Sequence, residues 1–120
     1  MRPTRSGRFV ATTDALADLE TRLVWEAKPV TLAVPWADAA AAAATRGQRL
    51  PRTEELMTLL SGLPSSFAGM PLPGDVLWSS SSSPFAPVTR VRAVACDGPA
   101  RFVVVVLERT DRAGWWGVRL

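Results

Sequence analysis

Histidine and tyrosine are absent from this 120-residue chain, cysteine and lysine occur once each, and no apolar run is long. Without histidine there can be no Ser-His-Asp or Cys-His arrangement and no imidazole metal ligand. A lone Cys96 rules out an internal disulfide, and its apolar strand context reads as a buried structural thiol rather than a nucleophile. No glycine-rich phosphate loop is present. Glu54 and Glu55 are adjacent, so on a helix they point about 100° apart and support its dipole rather than forming an acid–base pair. Asp75, Asp97 and Asp111 are turn acids, but no loop gathers oxygens at calcium-loop spacing. The expectation is a protein that is not an enzyme and takes no metal or cofactor. No purely apolar segment exceeds six residues; residues 102–107 have strand length and fall short of the roughly 18 residues of a membrane span. With no disulfide and no apolar segment after the first arginines, the expected location is the cytoplasm.

What is present points to one folded domain. Apolar residues make up 48% and charged residues 21%, a globular balance. The net charge of +3 is carried by Arg2, Arg5 and Arg8, since the 11 remaining basic residues equal the 11 acidic ones. Residues 1–8 therefore read as a flexible basic arm and 9–120 as the domain. Such an arm is either a solvated tail or a contact to phosphate or an acidic partner. No basic stripe with interleaved aromatics follows it, so nucleic acid stays the subordinate reading.

The strongest local signal is residues 49–60. Pro51 fixes its own φ and extends Leu50. Thr53 is placed to cap a helix, and Glu54 and Glu55 meet its positive end. Leu56, Leu59, Leu60 and Leu63 form an i, i+3, i+4, i+7 face, and Gly62 suits a left-handed stop. Residues 35–45 predict an earlier helix: Pro35 suits its first turn, alanines fill it, Trp36 anchors it and Gly47 ends it. Phe9 and Val10 begin a short strand, residues 14–20 read as a loop or weak helical turn, and residues 23–25 as a strand. Residues 64–74 are broken by proline and glycine. Residues 76–78 form a strand running into the serines at 79–83.

The last third reads as a β-meander. Residues 89–96 put Arg90 and Arg92 on one face and Val91, Ala93 and Ala95 on the other. Asp97-Gly98 marks a turn. Residues 101–108, with four consecutive valines, read as a central strand covered on both faces. Residues 115–120 make the last strand. The class is α+β, with Trp25, Trp36, Leu50, Leu56, Leu59, Leu60, Trp78 and Val104 in the core.

Taken in order, Arg22-Leu-Val-Trp25-Glu, Pro35-Trp36-Ala-Asp-Ala-Ala40, Arg49-Leu-Pro-Arg-Thr-Glu-Glu-Leu56, Leu77-Trp-Ser-Ser80 and Gly117-Val-Arg-Leu120 resemble the Lcl C-terminal-like family, also called domain of unknown function 1566. The resemblance implies a C-type-lectin-like fold, two helices flanking small antiparallel sheets, used for recognition; some secreted members bind glycans. Gln48 stands where that family usually has Trp, and the cysteines of secreted members are absent. A remoter likeness to formylglycine-generating enzymes carries no activity over, because this chain lacks a cysteine pair for copper.

The expected function is a non-enzymatic binding module, with a protein partner preferred and a saccharide as the other ligand class. Its surface is expected in the loops of residues 64–87, including Ser81, Ser82 and Phe85, with Arg90 and Arg92 beside them. Trp115 and Trp116 join it, because neighbours on a strand face opposite ways: one can enter the core and the other meets solvent, a partner or a second covered layer. The alternatives are a small nucleic-acid-associated protein using the arm, or a subunit of a larger assembly, including a homo-oligomer.

Overall fold

The computed structural model describes residues 4–64, 67, 69–84 and 86–120. In chain order the elements are β1 (Thr4–Ser6), β2 (Phe9–Ala11), β3 (Ala15–Asp18), β4 (Val24–Glu26), β5 (Val30–Val34), α1 (Trp36–Thr45), β6 (Gln48–Arg49), α2 (Thr53–Gly62), β7 (Val76–Ser82), β8 (Arg90–Gly98), β9 (Arg101–Glu108), β10 (Ala113–Trp115) and β11 (Val118–Arg119). They build an α+β domain of two antiparallel-rich sheets, ordered β1-β2-β3-β4-β11-β6 and β5-β10-β7-β8-β9.

Both helices form where expected, with different ends. Gly47 closes α1 at φ 69°, the left-handed geometry that glycine takes without strain. In α2 the cap position is Arg52 rather than Thr53. The Thr53 N–H, one of the helix's orphan donors, is satisfied from another element by Ser81 Oγ at 3.1 Å. Glu55 accepts the Arg52 N–H at 2.8 Å and grips Arg49 through two contacts of 2.7 and 2.8 Å. Gly62 is helical, not left-handed. It is small for another reason: a Cβ there would collide with the Arg8 guanidinium and touch Phe9.

The expected arm is corrected from Thr4 onward. Thr4–Ser6 pairs with Phe9–Ala11, and Arg8 binds the buried Asp18 with Nε at 2.8 Å and Nη2 at 2.6 Å. Residues 14–20, expected as loop or helical turn, contain β3, which pairs with both β2 and β4. Leu16 then reaches the core and Asp18 the Arg8 pair.

The meander is the largest correction. β8 and β9 do form a hairpin, but its turn lies at Pro99 and Ala100 (φ 55° at Ala100), two residues beyond Asp97-Gly98. The chain then leaves that edge. β10 inserts between β5 and β7, parallel to β7, and β11 inserts between β4 and β6 in the other sheet. Residues 113–118 are all buried as a result. Two adjacent tryptophans explain the route. Trp115 joins the α1 side with Ala39, Ala43 and Trp78, while Trp116 joins Trp25, Leu16 and the α2 leucines. A strand at a sheet edge could not bury both. Gly114, immediately before them, sits where β10 shifts register against β5, and a Cβ there would strike the Val30 carbonyl. Gly114→Ala is therefore expected to cost about 1–3 kcal/mol, read as a lowered midpoint in denaturant unfolding.

Candidate interaction surface

Because β10 takes its place on the far side of β7, nothing among the described residues pairs with the outer side of β9. This strand is eight residues long and reads Arg-Phe-Val-Val-Val-Val-Leu-Glu. Alternate residues of an edge strand turn their N–H and C=O groups away from the sheet, offering a template for another chain. Val103, Val104 and Val106 are 38%, 46% and 48% exposed. Val104 and the central-strand expectation for residues 101–108 are thus corrected together: the strand is an edge, and Val104 lies outside the core. Phe102, Val105 and Leu107 are half-buried, Phe102 on the α2 side and the other two on the α1 side. Glu108 pairs with Arg90 at 2.9 Å and Arg101 with Asp97 at 3.7 Å, so both ends carry charge and the middle carries none.

Of the residues the sequence pointed to, Arg90 and Arg92 border this surface. They oppose Glu108 and Val106 across the β8–β9 ladder. Trp115 and Trp116 do not; they are 2% and 0% exposed. They face opposite ways as expected, but each face has its own core. The Arg46 guanidinium lies 5.1 Å over the Trp115 ring, and Trp116 donates its indole N–H to the Glu26 carbonyl at 2.7 Å. Nor is the serine run a ligand loop: residues 79–82 belong to β7. Ser79 is fully buried and donates to the Arg92 carbonyl at 2.6 Å, Ser81 caps α2, and Ser82 alone of these three is exposed. Phe85 and Arg2 lie outside the described residues. Among the expected core residues, Trp25, Leu50, Leu56, Leu59, Leu60 and Trp78 are buried. Trp36 is half-buried under Arg109, 4.3 Å from its ring, with its N–H on the Ser79 carbonyl at 2.8 Å.

A second feature is an open polar groove of about 760 Å³ lined by Thr13, Asp14, Glu26, Lys28, Arg46, Gln48 and Arg119, among others. Its central carboxylate is already engaged: Glu26 accepts from Gln48 Nε2 at 2.9 Å and Arg46 Nη1 at 3.3 Å. Gln48 is 5% exposed, and its Oε1 is buried without a hydrogen bond against Gly117. That oxygen faces packed backbone. The groups with displaced pKa values lie elsewhere, in structural pairs. Burial pushes Asp18 up, but the Arg8 hydrogen bond, with help from Thr21 and the Glu20 and Thr21 amides, leaves it below the ordinary carboxylate range. Glu55 is lowered by its hydrogen bond to Arg49, which outweighs burial. Among the described residues no three His, Cys, Asp or Glu side chains cluster as a metal site, and no helix is long and apolar enough to cross a membrane.

Comparison with protein-family models, with curated proteins and with solved structures finds no match for this chain.

Proposed function

We propose that the chain is a non-enzymatic binding module whose partner is a protein, recognised along the open edge of β9. The observation that carries this reading is an eight-residue strand, apolar on both faces, whose outer side has no strand partner among the described residues. Edge strands are normally guarded by a mid-strand lysine, proline or bulge, and β9 has none of these between its charged ends; the bulge falls in β8 near the turn. An extended segment added here gains main-chain hydrogen bonds and covers the valines. Two helices with two antiparallel-rich sheets, together with the ordered motifs, support a C-type-lectin-like scaffold of the Lcl C-terminal-like kind. The absence of disulfide-forming cysteines supports a cytoplasmic setting. A saccharide is less favoured, because Trp25, Trp78, Trp115 and Trp116 are buried and offer no stacking face.

The test is a tagged pull-down from host lysate at high salt, with the wild-type chain beside Val104→Lys. A lysine at this exposed edge position can keep its stem on the surface and its ammonium in water. A host protein held by the wild type and lost from the variant is the expected result. Equal retention by both, or recovery of nucleic acid alone at low salt, defeats the reading.

A further inference from the structure

We infer that a second copy of this chain is a partner for β9, joined antiparallel about a two-fold axis to give one continuous ten-stranded sheet. This deepens the preceding reading and rests on it, because it uses the same edge. Two features of β9 select its own copy. The strand carries Arg101 at its start and Glu108 at its end, around six apolar residues. Antiparallel self-pairing sets the basic end of one copy beside the acidic end of the other, whereas parallel pairing would stack like charges. The apolar run has Phe102 and Leu107 at its two limits with four valines between, long enough for residues 102–106 to meet their own reverse with apolar side chains on both strands.

Symmetry then fixes the register. A two-fold axis perpendicular to the sheet keeps each face on its own side, so paired residues must share parity along the strand. Centring on Val105 would set Arg101 against Arg109 and Phe102 against Glu108. Centring on Val103 would leave Val106 beyond the apolar overlap. Centring on Val104 sets Val103 against Val105 and Phe102 against Val106 of the other copy, and Arg101 against Leu107. It covers all three exposed valines and opposes no like charges. Val104 then faces Val104 of the second copy. One strand per side is a small contact, in the class below about 1,200 Å² that is transient, so the dimer should grow with concentration rather than be permanent.

Sedimentation equilibrium of the full chain over a rising concentration series reads this directly. The expected result is a mass climbing from one chain to two and stopping there. Val104→Lys and Val104→Glu, each alone, should stay at one chain, because each places like charges on the axis. Mixed together they should recover the two-chain mass, which only a register centred on Val104 provides. Val106→Lys, at another exposed position, serves as the second variant should Val104→Lys fail to fold, and should likewise remain at one chain. A wild type that stays at one chain throughout, a mass that climbs past two, or charged variants that associate like the wild type would each overturn the inference. A monomeric wild type that still captures a host protein through Val104 sinks this inference and leaves the binding-module reading standing.

Discussion

Trp116→Ala is expected to leave the chain without a cooperative unfolding transition, or with one barely above zero stability at room temperature. Trp116 is fully buried and meets Trp25 edge-on at 6.0 Å and 69°, while Phe67 stacks on it at 6.1 Å and 19°. Removing such an aromatic costs about 3–5 kcal/mol, against a total of about 5–15 kcal/mol for an ordinary domain. The position makes the loss worse than an average core cavity. The segment from β10 to β11 is the only link among the described residues that lies inside both sheets, so loosening it loosens both. Trp116→Phe keeps most of the ring contact but forfeits the hydrogen bond to the Glu26 carbonyl, and should cost roughly 1–2 kcal/mol. Denaturant unfolding followed by far-ultraviolet circular dichroism separates the two. A loss below about 1 kcal/mol for Trp116→Ala would show that the two sheets are held together by something else.

Asp18→Ala should be nearly as damaging. Its side chain is 1% exposed and held by two contacts from Arg8, whose side chain is 20% exposed. Removing one member of a buried pair leaves the other charge uncompensated, a loss of about 3 kcal/mol here, at the low end of the usual range because Arg8 reaches solvent. Replacing both, as Arg8→Met with Asp18→Leu, should recover much of that. The pair also sets an acid dependence. Asp18 and Glu55 both sit below their ordinary values when folded, so at acid pH the unfolded chain binds more protons. Their contribution is complete above the ordinary carboxylate values of about 4 and fades as pH falls below them through the lowered folded values. Asp18→Asn should flatten that acid limb, and with no histidine the curve should be level from about pH 6 to 8. A consequence for the arm follows. Deleting residues 1–8 removes Arg8 and destabilises the domain by leaving Asp18 unpaired, so phosphate binding by the N-terminus is more cleanly tested by deleting residues 1–3.

The helices were legible because their signals are local: a leucine face at helical spacing, an alanine run, a glycine after α1. Short strands flanking Trp25 and Trp78 were legible from their apolar cores. Sheet order was not. Whether four valines are central or marginal depends on where residues 113–119 go, and that is settled by two tryptophans needing separate cores. Alternation on a strand sends Trp115 and Trp116 to opposite faces, but it does not say whether the second face meets solvent, a partner or another layer; here both faces are covered. The serine run misled for a different reason. Its composition is that of a linker, yet Ser79 and Ser81 spend their hydroxyls on the Arg92 carbonyl and the start of α2. Arg8 read as solvated charge because its partner, Asp18, lay in a segment taken for loop. The candidate surface had one sequence signal that could have found it: an apolar strand bounded by opposite charges.

Amide hydrogen exchange along residues 101–108, in dilute and in concentrated solution, tests most directly whether β9 is the surface through which this protein binds. The expected pattern is rapid exchange of the outward-facing amides in the dilute sample and marked protection in the concentrated one, with Val104→Lys exchanging rapidly in both. Equally rapid exchange of the wild type at both concentrations and with captured host protein bound, or full protection already in the dilute monomer, would contradict it.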